Sequence, residues 1–205
     1  MAVLLIAEVN GGALNVDATA KALTAAKALG DVTVLCASEG CADAATAAAA
    51  LDGVGKVLCA DAAEYGHDLA EPVADLIVSL AGDYDHIVAP STAASKNILP
   101  RVAAMLDVMV ISEVTAVIDA DTFERPSYAG NAIQTVKSAD AKKVATIRTS
   151  TFDAAGEGGS ATTENIAAAG HAGQAESDED RGATADRHEL TSAEAVEPAG
   201  RGARP

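Results

Sequence analysis

The sequence has 205 residues, with 30 acidic and 14 basic side chains and a formal net charge of −16. A chain this acidic repels phosphate backbones and anionic lipid headgroups, which argues against binding to nucleic acids or membrane surfaces. Nearly half of the residues are apolar but only 2% are aromatic. We therefore expect a core of Val, Leu, Ile and Ala, typical of strands covered by helices on both faces.

Three cysteines, Cys36, Cys41 and Cys59, have no Cys-x-x-Cys spacing. Together with the lack of a basic segment before the first apolar run, they favour a reduced, cytoplasmic protein without a secretory signal. Cys36 and Cys59 fall in apolar runs and are expected to be buried. Cys41 opens an Ala-rich helix, which would suit a redox role, but no second cysteine stands at resolving spacing.

In chain order, the first half alternates short apolar runs with helical patterns. Asp17 is the predicted N-cap of a helix closed by Gly30, and Pro100 is expected near the start of the fourth helix. Strands are predicted over 3–7, 32–37, 56–59 and 85–89, and the first two helices over 18–29 and 42–51. The third helix is predicted to begin at a capping box at 68–71 and to end at Gly82. The fourth is predicted from the apolar face of 98–106. This alternation predicts an α/β, Rossmann-like three-layer domain with a mainly parallel sheet.

The second half is richer in strand-like segments, which we predict over 108–118, 122–129, 132–137 and 143–149. We expect these strands to include antiparallel neighbours at an edge of the sheet. From residue 153 onward large aliphatic residues become rare, and such a segment buries too little to offset its ordering entropy. We therefore predict a Rossmann-like domain over 1–152, a low-complexity acidic loop and linker over 153–196, and an atypical, disordered tail over 197–205. Within the linker, much of 156–187 is expected to be a loose loop.

Glycines and hydroxyls supply the candidates for an anion site. The pair Gly11-Gly12 lacks the Gly-x-Gly-x-x-Gly fingerprint and is more typical of a turn than of a phosphate site. The glycines of 156–160 lack the lysine of a P-loop and indicate a flexible loop. Ser91, Thr92 and Ser95 follow the fourth strand, where ligands of open α/β sheets bind, but a helix cap is the favoured interpretation of Ser91 or Thr92.

Catalytic and metal-binding patterns are missing from the sequence. His67, His86, His171 and His188 are scattered without metal-ligand spacing, and His86 is expected to be a packed or hydrogen-bonded residue of a strand. No Ser/His/Asp or Cys/His arrangement can be assembled. The sequence therefore predicts no catalytic, cofactor-binding or metal-binding residue in this chain.

Several longer segments resemble the alpha subunit of electron-transfer flavoproteins. The most specific is Thr-Phe-Glu-Arg-Pro-Ser-Tyr-Ala-Gly-Asn-Ala at 122–132. The other matches, in the same order as in that family, lie at 96–103, 111–115, 149–153 and 186–190. The resemblance covers nearly all of 1–196.

The resemblance implies a Rossmann-like amino-terminal domain that acts as scaffold and interface and holds neither FAD nor AMP. In that family a carboxy-terminal domain grips FAD, and a beta subunit carries AMP. The heterodimer takes electrons from acyl-CoA and other dehydrogenases and passes them to a quinone oxidoreductase of the membrane. This chain would then be an electron-carrier subunit and not an enzyme with its own substrate.

The sequence departs from the family pattern after residue 196, where the FAD-binding segment has no counterpart. The ending over 197–205 suggests a frameshifted or truncated gene product that would bind no FAD alone. Two alternatives remain open: a stand-alone Rossmann-like nucleotide-binding module, which would need a phosphate site near Ser91, Thr92 or Gly11-Gly12, and a nonfunctional fragment. Stabilisation by AMP or ATP would favour the first alternative.

Overall fold

The computed structural model describes residues 1–67 and 69–170, together with 173, 175, 177 and 178. In this part of the chain the helices are α1 (Val16–Lys27), α2 (Ala42–Ala49), α3 (Ala70–Leu80) and α4 (Ala93–Met105). The strands are β1 (Ala2–Ile6), β2 (Val9–Asn10), β3 (Ala13–Leu14), β4 (Asp31–Ser38), β5 (Val54–Asp61), β6 (His86–Pro90), β7 (Val110–Val114), β8 (Ala116–Val117), β9 (Thr122–Ser127), β10 (Ala132–Lys137), β11 (Lys143–Ile147) and β12 (Thr162–Asn165).

Seven of these strands form one central sheet in the order β12-β5-β4-β1-β6-β11-β7. Every pairing within it is parallel. The helices pack on its two faces, so the predicted Rossmann-like three-layer α/β architecture is confirmed. Parallel neighbours need long crossovers, and helices provide them.

The apolar core is divided by the sheet into two halves. Along β1, Val3 and Leu5 point into a cluster with α1 and α2, whereas Leu4 and Ile6 point into a cluster with α3 and α4. This explains why the strand has no polar alternation: both of its faces are buried. Each fully buried aliphatic side chain contributes about 1.5–3 kcal/mol relative to an exposed one.

Two details of the helices differ from the sequence prediction. Asn15, and not Asp17, caps α1, because the backbone of Asn15 is extended and its Oδ1 accepts a hydrogen bond from the Ala18 amide at 3.2 Å. Asp17 instead lies in the first turn and pairs with Lys21 at 2.8 Å. Pro100 lies inside α4, not near its start. A proline there removes one helical hydrogen bond.

Strands β8, β9 and β10 form a second, antiparallel sheet in the order β10-β9-β8. The later strands do include antiparallel neighbours, as expected, but these do not extend an edge of the central sheet, where β7 is parallel to β11. Phe123 of β9 is completely buried against the central core. The Arg125 guanidinium donates to the Ser112 carbonyl and hydroxyl oxygens, both at 3.0 Å. Together these contacts join the two sheets.

Residues 154–165 are more ordered than the sequence indicates. Strand β12 pairs in parallel with β5, and the amides of Gly158 and Gly159 donate to the Ala50 carbonyl at 3.0 and 2.9 Å. A Cβ on Gly159 would lie 2.2 Å from the Leu51 carbonyl oxygen, so the close approach requires glycine. The loose loop predicted for 156–187 is thus wrong for 156–165. The predicted tail over 197–205 and most of 171–196 lie outside the described residues.

Candidate functional site

The carboxyl ends of β1 and β6 lie side by side where the strand order reverses. From β1 the sheet continues through β4 and β5 in one direction and through β6 and β11 in the other. Ligands of open α/β sheets bind in the crevice at such a position. Glu8 follows β1 here, and Ser91 and Thr92 follow β6. This crevice is therefore the place to test for a nucleotide site.

The hydroxyl of Thr92 is already engaged within the chain. It donates to Glu8 Oε2 at 2.7 Å, and it accepts from the Ser95 amide at 3.3 Å as the N-cap of α4. The cap interpretation of Thr92 is thus confirmed. A helix amino terminus favours negative charge, and the Glu8 carboxylate supplies it from within the protein. Glu8 was not predicted as a site residue, although its position directly after a buried strand was a usable signal.

Ser91 is engaged by a second carboxylate, Glu113. The Ser91 hydroxyl donates to Glu113 Oε1 at 2.7 Å, and the Lys96 ammonium pairs with the same oxygen at 2.6 Å. The Glu113 amide donates to the Thr146 hydroxyl at 2.9 Å. Partial burial alone would raise the pKa of Glu113, but the bonds from Lys96 and Ser91 outweigh it and hold that pKa below its usual value. Glu113 therefore stays ionised at neutral pH.

This carboxylate network does not fit a dinucleotide. Glu8 and Glu113 would repel a pyrophosphate and occupy the hydroxyls that could bind one. The cavity lined by Glu8, Val9 and Ser95 has a volume of about 20 Å³, whereas ligand pockets usually measure roughly 300–1,000 Å³. The side chains at this crevice therefore do not suit FAD or AMP.

The glycine motifs have structural roles in the described chain. Gly11 and Gly12, with φ of 56° and 81°, form the two-residue turn between β2 and β3. Positive φ at both positions is what a tight hairpin turn demands, and it favours glycine. The amides of Gly158 and Gly159 bind the Ala50 carbonyl at the end of α2, as described above. Both observations support turns and backbone packing over phosphate binding.

The histidines do not assemble a metal site in the described residues, where no group of three or more His, Cys, Asp or Glu side chains is placed to hold a metal ion. His86 is buried in β6, with Nε2 2.6 Å from the Ala120 carbonyl oxygen, which confirms its predicted packed role. Burial lowers its pKa. His67 is exposed, and His171 and His188 lie outside the described residues.

The cysteines are closer together than their spacing indicates. Cys36, Cys41 and Cys59 are all buried and free, as expected for Cys36 and Cys59. Cys41 Sγ, however, lies 2.6 Å from Cys59 Sγ. No second cysteine stands at resolving spacing in the sequence, but the strand order brings the distant Cys59 beside Cys41.

Several exposed apolar side chains belong to the second sheet or lie near it in the chain. Tyr128, at the turn between β9 and β10, is 81% exposed, and Ile133 of β10 is 57% exposed. Met109 and Ile118 are also exposed nearby in the chain. The backbone of Tyr128 and Ala129 is left-handed, with φ of 49° and 54°, which is uncommon outside glycine. We call Met109, Ile118, Tyr128 and Ile133 the second-sheet surface.

A cavity of about 280 Å³ lies beside this surface, between β7 and the second sheet. Its lining combines apolar side chains of Met109 and Val136 with the charged Arg125, Lys137 and Asp140.

Comparison with known proteins agrees with the fold. A family model described as "Electron transfer flavoprotein domain" matches residues 3–171. The chain belongs to the electron transfer flavoprotein domain family. It is 64% identical over 202 residues to the electron transfer flavoprotein subunit alpha of Paracoccus denitrificans, covering 98% of this chain and 66% of that protein.

Other alpha subunits show the same coverage. The one from Bradyrhizobium diazoefficiens is 61% identical, across 98% of this chain and 64% of its own length. The one from Pseudomonas aeruginosa is 52% identical, across 98% and 66%. The chain thus spans about two thirds of the length of these relatives. Within the described residues, no helix is long and apolar enough to cross a bilayer.

Proposed function

We propose that this chain provides the structural framework of an electron transfer flavoprotein alpha subunit and its contact surface for the beta subunit. The family match over residues 3–171 is the observation that carries the proposal. The carboxylate network at the sheet crevice supports a framework role, because it stabilises the strand ends without leaving room for a nucleotide. The second-sheet surface supports a docking role, since it holds four of the large apolar side chains that the described residues expose, and exposed apolar surface can mark an interface.

The complete alpha subunit would act with its beta subunit as an electron carrier in the cytoplasm, not as an enzyme with its own substrate. It would accept electrons from acyl-CoA and other dehydrogenases and deliver them to the electron-transfer flavoprotein–quinone oxidoreductase. The cofactor would be FAD, whose redox chemistry the protein tunes by its surroundings. FAD would be held outside residues 1–152, and this chain alone would bind none.

The docking role is assigned to the second sheet because it differs from the rest of the exterior. Most of the central sheet is covered by helices, and its exposed edge strand β12 is polar. The second sheet instead presents Tyr128 and Ile133 on a hairpin anchored by buried Phe123. A rigid aromatic side chain on a fixed hairpin loses little conformational entropy on binding.

Co-expression with the beta subunit of the same organism tests the proposal. The expected result is a one-to-one complex without the visible absorption of a flavin. A complex with stoichiometric flavin would contradict the assignment of FAD to a region outside this chain. The absence of any complex, with the chain itself folded by circular dichroism, would contradict the docking role.

A further inference from the structure

The three cysteines meet at one corner of the central sheet. Cys36 and Cys59 are register partners on the adjacent parallel strands β4 and β5. Cys41 stands at the N-cap of α2, just after the chain leaves β4. Its sulfur lies 2.6 Å from Cys59 Sγ and 3.6 Å from the Cys36 carbonyl oxygen.

The fold explains why Cys41 meets Cys59 and not a nearer residue in sequence. After β4 ends at Ser38, a turn through Gly40 reverses the chain, and Gly40 has a left-handed φ of 69°. The Gly40 amide donates to Asp61 Oδ1 at 2.8 Å, which ties the turn to the end of β5. This bond holds the start of α2 over the end of β5 and so places Cys41 beside Cys59.

We propose that Cys41 and Cys59 are a redox-active pair that forms an intramolecular disulfide when the protein meets a peroxide. The thiolate of one cysteine attacks an oxygen of hydrogen peroxide and the O–O bond breaks, giving a sulfenic acid and hydroxide, which takes up the proton lost by the thiol and becomes the first water. The thiol of the other cysteine then attacks the sulfenic sulfur, the S–S bond forms, and a second water leaves. Two thiols and one peroxide thus give one disulfide and two waters.

Burial makes this reaction selective and slow. Desolvation raises the pKa of Cys36 and of Cys59 to about 12, so the folded protein holds little thiolate at either position at neutral pH. Peroxide therefore reaches one of the sulfurs during a brief local opening of the corner, and when the corner closes again the folded contact decides which sulfur joins it. Cys36 offers a matched comparison, because it is equally buried but does not touch another sulfur at this distance.

The disulfide would link the start of α2 to β5 and close the intervening stretch of chain into a loop. Closing a loop of this size reduces the entropy of the unfolded chain. Oxidation is therefore expected to raise Tm by roughly 5–10 °C in a domain of this length. A dithiol reductant should return Tm to its original value, because the bond is reversible by thiol–disulfide exchange.

The test is hydrogen peroxide treatment of the reduced chain under native conditions, followed by alkylation, non-reducing digestion and mass spectrometry. The expected product is a monomer that has lost two hydrogen atoms, with a cross-linked pair of peptides that contain Cys41 and Cys59. Cys36→Ala should keep this cross-link, whereas Cys41→Ala and Cys59→Ala should abolish it. Circular dichroism establishes that each variant is folded.

Several results would overturn the proposal. A Cys36–Cys59 cross-link or an intermolecular disulfide would show that other sulfurs join. Over-oxidation of single cysteines without a cross-link, or a monomer whose mass shows no loss of two hydrogen atoms, would show that no disulfide forms. If Cys41→Ala or Cys59→Ala fails to fold, mapping of the Cys36→Ala protein and its Tm before and after oxidation still decide the question.

Discussion

The central sheet and the second sheet both carry apolar side chains, but the central sheet buries them and the second sheet leaves some exposed. The central sheet buries both faces under helices, and its polar crevice is closed by Glu8 and Glu113, so its interactions are satisfied within the chain. The second sheet buries Phe123 but leaves Tyr128 and Ile133 exposed. From this difference we propose that the central sheet supplies most of the stability and that the second sheet supplies the surface for partner recognition.

The largest expected effect tests how firmly the second sheet is joined to the core. Phe123→Ala removes a completely buried ring at the junction of the two sheets. We expect a loss of about 3–5 kcal/mol in the free energy of unfolding, the usual cost of such a cavity. Chemical denaturation measures it. Ile133→Ala, in the neighbouring strand but exposed, is the matched control and should change stability by no more than about 0.5 kcal/mol.

A smaller effect is expected at the crevice of the central sheet. Thr92→Ala removes the cap of α4 and leaves Glu8 without its hydroxyl donor, which should cost about 1–2 kcal/mol in the free energy of unfolding. Thr163→Ala, on the exposed strand β12, is the control. Equal stabilities for the two variants would mean that the crevice network is not a stabilising feature of the central sheet.

The pH dependence of stability should reflect His86 in the central sheet. Burial, the largest influence, lowers its pKa in the folded state below the ordinary 6.5, so the unfolded chain binds a proton first as the pH falls. Stability should therefore be complete above pH 6.5 and decline below it. His86→Gln should flatten this decline in denaturation curves taken at successive pH values. His67→Gln, at an exposed histidine, is the control and should keep the loss of stability below pH 6.5. The same loss in His86→Gln would exclude His86 as its cause.

Glu113 should also make the folded state less stable as the pH falls, but in a lower pH range than His86. Its pKa is held below the ordinary 4.5, so its contribution is present above pH 4.5 and is lost as the pH falls through the folded value. Glu113→Gln should lose stability at neutral pH and differ less from the parent chain in acid. A constant difference across that range would show that the charge of Glu113 is not what stabilises the crevice.

The sequence predicts the central sheet better than its surroundings, for a physical reason. Strands buried on both faces, such as β1 and β6, are continuous apolar runs that stand out from Ala-rich helices. By contrast, β12 was missed because Thr162–Asn165 is entirely polar and exposed, and its order comes from pairing with β5. Strands β9 and β10 of the second sheet were predicted, but β8 was merged with β7 in the segment 108–118. The separation of the two sheets depends on packing that no local pattern records.

The candidate sites show the same limit. Thr92 could be identified as a cap from its position after a strand. Its partner Glu8 lies far away in the chain, and only the strand order brings the two together. The contact between Cys41 and Cys59 depends likewise on the turn at Gly40 and the pairing of β4 with β5.

The most direct test of the division between the two sheets is the affinity of the chain for the beta subunit, measured by calorimetric titration. We expect Tyr128→Ser/Ile133→Ser to fold normally and to weaken binding by about tenfold or more, as loss of exposed apolar anchors does. Val16→Ser, which removes an exposed apolar side chain from α1, should leave the affinity unchanged. Equal affinities for the double variant and the parent chain would contradict the assignment of partner recognition to the second sheet.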